Sequence, residues 1–473
     1  MNLPTAFTSY TSALLGEERF TTLMKALTLP PPVSIRLNPL KWGSRSIAPR
    51  WQSRQVAWCS EGYHLSGRPE FTFDPLWHSG TYYVQEAASM FIHHVIRHYV
   101  HQPVLMLDLC AAPGGKSTAA RSALPSGSML ICNDPVRPRA QVLAENMLRY
   151  GHPEVIVTNN MPADYANCPL AFDVILADVP CSGEGMFRKD EVAVEEWSPQ
   201  HVEQCRTLQR EIVRQAWQCL KPGGLLIYST CTINSRENEE NAEWICHTLG
   251  GEALSVPTQP EWGILGSMSE SWTGPAYRFI PGFTESEGLF MTVIRKDEDT
   301  TFVRSKERMR GKKDKAHNKK RDSVCSEALQ YLHTPDDYEI EDCGDWISGV
   351  PRAWHDTWRQ ASQHLRIITG GVPLLVRRGH DSMPHPALPL NAAMRHETMP
   401  HVSLDYTQAI RYLRREPPLL PNDTPRGWVT VCYDHQPLGL AKHIGQRTNN
   451  LYPQEWRIRT NYTPEQPCGV VDV

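Results

Sequence analysis

An open, doubly wound α/β sheet of the Rossmann-like kind is predicted for the middle of this chain, and three observations predict it. Between Pro103 and about Arg295, short apolar runs alternate with helix-length amphipathic stretches, the pattern of parallel strands joined by crossover helices. Several runs end in polar residues: Val104 to Leu109 ends near Asp108 and Cys110, Met129 to Cys132 at Asn133 and Asp134, and Glu154 to Val157 at Asn159 and Asn160. Two further runs end in cysteines, Cys181 in Asp178-Val179-Pro180-Cys181 and Cys231 in Tyr228-Ser229-Thr230-Cys231-Thr232. Ligands bind outside the carboxyl ends of such strands, so all these residues should share one rim. Two thiols delivered to that rim imply chemistry.

At 473 residues the chain exceeds the size at which a single core keeps growing, so several domains are expected. Residues 1–100 read as a small α+β module, with helix-like stretches around Thr11 to Leu27, a strand at Val33 to Leu37 and an amphipathic helix around Val84 to His98. Arg36 and Lys41 flank the strand and read, taken singly, as ordinary surface cations. Residues 101–296 carry the α/β pattern. Its clearest helix runs from about Pro199 to Leu220, with Val202, Cys205, Leu208, Ile212, Ala216 and Leu220 on one apolar face. Lys221-Pro222-Gly223-Gly224 then stops it and turns the chain into a strand at Leu225 to Ser229.

Residues 297–323 form a basic linker: Arg304 to Arg321 holds ten Lys or Arg against Glu307 and Asp314 and too few apolar residues for a core. A solvated tether and a phosphate-contacting arm both fit that composition. The remainder divides around the Pro- and His-rich stretch Met383 to Met399 into an intermediate domain, 324–395, and a β-rich module, 396–473, with strands at Trp428 to Tyr433 and Leu438 to His443.

Apolar content of 40% suits a globular protein, and the formal charge of −4 argues against nonspecific nucleic-acid binding by the whole surface while leaving room for a local basic groove. The 13 cysteines are scattered, without Cys-x-x-Cys, and read as reduced thiols; no metal site is expected. With no signal-peptide pattern after Met1 and no run of about 18 apolar residues, a cytoplasmic protein without a membrane span is expected.

Leu107-Asp108-Leu109-Cys110-Ala111-Ala112-Pro113-Gly114-Gly115-Lys116-Ser117-Thr118 follows a strand and opens a helix. Its small residues let backbone N–H groups approach a ligand, and a helix N-terminus favours negative charge. Gly115-Lys116-Ser117 imitates a triphosphate-binding loop, with Asp178 as its metal-binding acid, but Cys110 stands where that loop needs its first glycine. Asp134, about twenty-five residues after Asp108, suits the ribose diol of an adenosine-containing cofactor. The dinucleotide spacing Gly-x-Gly-x-x-Gly is absent, which favours S-adenosylmethionine.

Leu107 to Thr118, Asp173 to Gly185 and Tyr228 to Asn241 together resemble the signature motifs of the Nop/Sun family of RNA 5-methylcytosine methyltransferases. Shorter similar pieces are Ser34 to Asn38, Gln85 to Met90, Asn133 to Arg139, Leu208 to Ala216 and Arg278 to Arg295, so the resemblance covers roughly residues 1 to 296. It implies that Cys110, Ala111, Ala112, Pro113, Gly114, Gly115 and Lys116 form the S-adenosylmethionine loop, with Asp134, Arg139, Asn160 and Asp178 as further cofactor contacts.

Carbon 5 of cytosine is a poor nucleophile, and adding a thiolate at carbon 6 turns the ring into an enamine that can be methylated. A free cysteine has a pKa of about 8.5, so such a thiol needs a cationic neighbour. The resemblance makes Cys231 that nucleophile and Cys181 the thiol that helps resolve the adduct. Asp178 is then placed to hydrogen-bond cytosine N3 or N4, and Lys116 to orient the site. For Cys59, Cys168, Cys205, Cys219, Cys325 and Cys432 the plainer reading, small buried hydrophobes, is preferred.

The target base must be flipped out or single-stranded. Arg36, Arg188, Lys189 and the basic linker, with Phe187 and Trp197 nearby, are candidates for holding the flanking RNA. Two departures stand out: Asn159-Asn160 where many relatives have an acidic residue, so that an amide oxygen would meet the adenine amino group or Asp164 would substitute, and Pro281-Gly282 in place of Pro-His. Beyond the linker, Gly427-Trp428-Val429, Pro437 to Lys442 and Arg447 to Pro453 resemble the tail of bacterial members acting on 16S ribosomal RNA, whose chain closes with a PUA-like RNA-binding module. The expected partner is RNA, 16S rRNA or the small ribosomal subunit, bound by a monomer. Transfer RNA as substrate, and a ribosome-assembly factor without turnover, are the alternatives.

Overall fold

The computed structural model describes residues 3–299, 327–379, 381–464, 466–467 and 469–472; the basic stretch Arg304 to Arg321 and Cys325 lie outside them. The first helical stretch is two helices, Thr5–Leu15 and Glu17–Leu27, because Gly16 between them holds φ 77° and ψ 161°, which no helix continues. Strands β1 (Val33–Leu37), β2 (Arg54–Gln55), β3 (Gly62–Leu65) and β4 (Tyr82–Val84) form an antiparallel sheet in the order β2-β3-β1-β4. The helix expected from Val84 begins later, at Phe91, and runs to Tyr99. Val84 is spent in β4, and the Glu86 carboxylate accepts the N–H groups of Ala88 and Ser89, at 2.9 Å each, ahead of the helix.

The central sheet is built from β5 (Leu105–Asp108), β6 (Met129–Asn133), β7 (Val155–Thr158), β8 (Phe172–Asp178), β9 (Leu220–Thr230), β10 (Gly251–Leu254), β11 (Tyr277–Phe279) and β12 (Leu289–Lys296). Their order is β10-β12-β9-β8-β5-β6-β7, with β11 beside β12. Strands β5 to β9 run parallel, and the order reverses between β5 and β8, where the sequence places the ligand crevice. Period-two alternation feeds two cores: Met106, Leu130, Val174 and Leu176 face the helices that carry Phe91, Ala119 and Leu143, while Leu107, Ile131, Ile175 and Ala177 face those that carry Ile212 and Ile245.

The long helix spans Pro199–Cys219, capped by Ser198, whose hydroxyl accepts the His201 N–H. Its buried face holds Val202, Cys205, Ile212 and Ala216 as expected, but Leu208 is 44% exposed and Gln209 is buried in its place. Polar partners draw Gln209 inward: its amide donates to the Pro180 carbonyl and Glu237, and its oxygen accepts from Tyr228 and Asn241. Lys221 to Gly224 is not a turn before the strand. Strand β9 already starts at Leu220, opposite Phe172, and the register slips until Leu225 meets Val174, so those four residues form a bulge with Gly223 at φ 73°.

Beyond residue 326, β13 (Tyr338–Asp342), β14 (Trp346–Pro351), β16 (Val372–Arg378) and β17 (Asp381–Pro384) form one antiparallel sheet. Strand β15 (Ile367–Gly370) instead joins the central sheet, antiparallel to β7. The last sheet is β18 (His401–Ser403), β19 (Gly427–Tyr433), β20 (Gln436–His443) and β21 (Thr448–Asn450). Its core is shared with the N-terminal sheet: Ile35, Leu37 and Tyr82 pack in one cluster with Ile410, Val431 and Tyr452. No helix among the described residues is long and apolar enough to cross a membrane.

Candidate active site

The loop from Cys110 to Gly114 is held in shape by its neighbours. Ala111 N–H donates to the Asn133 carbonyl at 2.7 Å, Asn146 donates to the Pro113 carbonyl at 2.8 Å, and Arg139 to the Ala112 carbonyl at 3.1 Å. Gly114, at φ 112°, then turns the chain into the helix Gly115–Ala123. Asp108 and Asp134 end adjacent strands below this loop, both buried. Burial pushes the Asp108 carboxyl up to about 7, although Ser117 donates to one of its oxygens at 2.6 Å. Asp108 Oδ1 and Asp134 Oδ2 have no hydrogen-bond partner, and Arg139 approaches the latter only as an ion pair at 3.3 Å.

Buried acceptors of that kind are costly unless a donor meets them. With a preshaped glycine turn and a helix N-terminus beside them, the residues present fit an adenosyl cofactor with a ribose diol and an aminoacyl end.

On the β8 side, Lys116 Nζ pairs with Asp178 Oδ2 at 2.8 Å, and Ser229 donates to Asp178 Oδ1 at 2.5 Å. Burial, the largest single influence, lowers the Lys116 ammonium, but the charge and hydrogen bond of Asp178, with Cys231 and Glu86 adding, together hold the group above its usual range. Cys181 and Cys231 lie next to this pair, half-buried, with their sulfurs 3.1 Å apart. A hydrogen bond from Cys181 lowers the Cys231 thiol below its ordinary value against burial and Asp178, with Lys116 adding to the lowering. The same bond, with burial, pushes Cys181 up. The Cys231 N–H also points at Cys181 Sγ, at 3.3 Å, and a backbone hydrogen bond at Gly183 pulls Cys181 the other way by a smaller amount. Of the two thiols, Cys231 is therefore the more readily ionised.

Two carboxylates that the sequence reading passed over hold the cysteine loops together crosswise. Glu184, three residues after Cys181, accepts the N–H groups of Ile233 and Asn234 beyond Cys231, at 2.7 and 2.9 Å. Glu237, six residues after Cys231, accepts the Ser182 N–H at 3.1 Å and Asn234 Nδ2 at 2.8 Å. Both are buried, and burial raises the Glu237 carboxyl. The available signal was position alone: each acid falls inside a motif that also carries one of the two cysteines.

The expectations for the cations and aromatics are corrected. Arg36 is buried, donating to Gln85 at 2.9 Å and Thr118 at 2.6 Å beside Glu61, so it ties the N-terminal sheet to the loop's helix and is not a surface cation. Lys41 is half-buried and donates to the Ser79 carbonyl at 2.7 Å and the Arg149 carbonyl at 2.5 Å. Arg188 is engaged by Glu287 and the carbonyls of Ala26 and Ser286, leaving Lys189 the more open of the two. Phe187 and Trp197 pack edge-on against Phe7 in a buried cluster, so neither can stack on a base. Asn160 has its amide engaged by the backbone of Arg366. At Gly282, φ 94°, a Cβ would lie 2.9 Å from Thr22 Cγ2, so the N-terminal helix occupies the space a histidine would need. Cys59, Cys168, Cys205, Cys219 and Cys432 are buried, in keeping with the plainer reading.

Fold, glycine loop and paired strand-end acids together define a class I methyltransferase that uses S-adenosylmethionine. Residues 99–295 match the family model of the 16S rRNA methyltransferase RsmB/F, residues 3–87 that of the N-terminal domain of 16S rRNA methyltransferase RsmF, and residues 400–458 that of the methyltransferase RsmF PUA domain. The chain is 30% identical over 445 residues to the ribosomal RNA small subunit methyltransferase F of Aliivibrio fischeri (strain MJ11), covering 89% of this chain and 90% of the relative. It is 30% identical over 452 residues to that of Shewanella amazonensis, covering 90% and 92%. A methyltransferase homolog protein from Pyrococcus horikoshii has a similar solved structure, with a TM-score of 0.53 and 26% identity over 62% of this chain and 95% of that one. The chain belongs to the RsmF family of ribosomal RNA methyltransferases, and its substrate is therefore RNA.

Proposed function

We propose that this protein methylates carbon 5 of a cytosine in 16S ribosomal RNA, acting as a monomer through a covalent bond between Cys231 and cytosine carbon 6. The observation that carries the reading is the thiol pair, 3.1 Å apart beside the Lys116–Asp178 ion pair. The Cys110 to Lys116 loop, Asp134 and Arg139 would hold S-adenosylmethionine, which supplies an electrophilic methyl group when bound.

Cys231 thiolate forms the sulfur–C6 bond, and the C5–C6 electron pair becomes available at C5. Asp178 accepts from the N4 amino group, and N3 takes up a proton from solvent relayed by Asp178, so charge building on the ring is neutralised. After methylation the C5 proton passes to water, its electron pair re-forming the C5–C6 double bond as the sulfur–C6 bond breaks and Cys231 departs as thiolate, and N3 gives up its proton. Cys181, its sulfur 3.1 Å from the departing one, is the group placed to assist that release. Glu184 and Glu237 fix the separation of the two loops during both steps.

The test is to mix purified protein, S-adenosylmethionine and 16S rRNA and look for a denaturant-stable protein–RNA band, with bisulfite sequencing of the product. Cys181→Ala is expected to accumulate the band, and Cys231→Ala to give neither band nor 5-methylcytosine. A band that persists in Cys231→Ala overturns the nucleophile assignment, and methylation at an atom other than carbon 5 overturns the reaction.

A further inference from the structure

Parallel sheets of this kind commonly end at an open edge strand, here β7. In this chain that edge is closed by β15, which belongs to the region beyond residue 326: Ile367 sits opposite Thr158, Thr369 opposite Val157 and Gly370 opposite Ile156. The approach is close enough to require Gly370, where a Cβ would lie 2.8 Å from Trp358 and 3.0 Å from Ile156 Cα. The residue entering β15, Arg366, uses only its backbone on the strand ends that the reading above assigns to the cofactor. Its N–H donates to Asn160 Oδ1 at 2.9 Å, and its carbonyl accepts from Asn159 N–H at 3.0 Å and Asn160 Nδ2 at 3.3 Å.

From there the bonds continue inward. Asn159 Nδ2 donates to the carbonyls of Asp134 and Pro135, at 2.9 and 3.0 Å. Asn160 N–H donates to Asn133 Oδ1 at 3.0 Å, and Asn133 Nδ2 donates to the Leu109 and Asn160 carbonyls, also at 3.0 Å. One continuous chain of hydrogen bonds therefore joins the C-terminal region to the loops around Asp134 and Leu109. A carboxylate at position 160 has no side-chain N–H to give the Arg366 carbonyl; an amide satisfies both the N–H and the carbonyl of that residue.

We propose that β15 is a positioning element of the cofactor site: Asn160 serves to dock Arg366, and Asn159 transmits that docking to the Asp134 loop. The amide at 160 answers a structural demand of the C-terminal region and does not read the adenine. The proposal rests on Asp134 as a cofactor ligand, so its test must separate the two.

Binding of S-adenosylhomocysteine to the full chain, measured by calorimetry with melting temperature recorded alongside, makes that separation. Asp134→Ala should weaken binding at least about 10-fold, the scale of one lost charge-assisted bond; unchanged affinity there overturns the cofactor reading itself. With Asp134 upheld, Asn160→Asp should weaken binding about 5- to 20-fold, since the carboxylate faces the Arg366 carbonyl. Equal or tighter binding by Asn160→Asp overturns the proposal, because it means that residue 160 reads the adenine. Asn159→Ala leaves the β7–β15 pairing in place and should also weaken binding, with no added loss in an Asp134→Ala background. Additive losses count against the proposal.

Discussion

At the scale of single residues, the site works by placing unlike charges on a thiol. Lys116 favours the Cys231 thiolate, while Asp178, paired to that lysine at 2.8 Å, opposes it. Removing each should move the thiol in opposite directions. Iodoacetamide labelling of Cys231 followed across pH needs no cofactor: Lys116→Met should shift the profile to higher pH and slow labelling at pH 7 about 3- to 10-fold, and Asp178→Asn should shift it lower. Shifts of the same sign would refute this electrostatic account. The residues at the strand ends were legible in the sequence because motif and strand end coincide there. Cations and aromatics were not: the partners that bury Arg36 and Arg188 lie 25 to 162 positions away, and nothing local to those residues announces them. Phe187 and Trp197 stood among the candidates for holding RNA for the same reason, since Phe7, which buries them, belongs to the first helix.

At the scale of elements, the sequence's hydrophobic period located the helix Pro199–Cys219 to within a residue yet misassigned one side chain on its face. Leu208 and Gln209 are neighbours 100° apart on the helix, and apolar period alone prefers the leucine. The protein buries the glutamine because it serves four groups at once: the Pro180 carbonyl next to Cys181, Glu237, Tyr228 and Asn241. An apolar replacement should therefore harm the fold. Gln209→Leu is expected to cost about 2–4 kcal/mol by leaving buried partners unpaired, and Leu208→Gln to stay within about 0.5 kcal/mol, both read from urea denaturation. A neutral Gln209→Leu would show that the network beneath the cysteine loops contributes little. The bulge at Lys221 to Gly224 was misplaced for a related reason. A Pro-Gly-Gly signal marks a departure from regular structure, and whether the departure precedes the strand or interrupts it depends on pairing with β8.

At the scale of the whole molecule, composition suggested modules on a string, and the structure stitches them together. A four-residue strand such as β15 carries too little pattern to be told from a loop, and its pairing with β7 is a tertiary fact. The seams are extensive. Gly151, at φ 81°, seats the end of the helix Arg137–Tyr150 so tightly on the Leu390 carbonyl that a Cβ would meet it at 2.0 Å. Arg149 lies 5.0 Å above the rings of both Trp77 and Trp456, joining three regions in one contact. The N-terminal sheet and the last sheet share one core, in which each fully buried aliphatic or aromatic side chain contributes about 1.5–3 kcal/mol. Several such residues on each side amount to an interface that should hold without the covalent connection. Residues 1–299 and 327–473, co-expressed as separate chains, are accordingly expected to purify as a 1:1 complex by size exclusion. Residues 1–299 alone, with the β7 edge and the faces of Ile35 and Tyr82 uncovered, should melt at a lower temperature or aggregate. Separate elution of two well-folded halves would mean that the shared core contributes less than its burial implies, and that the C-terminal region is carried by the chain connection alone.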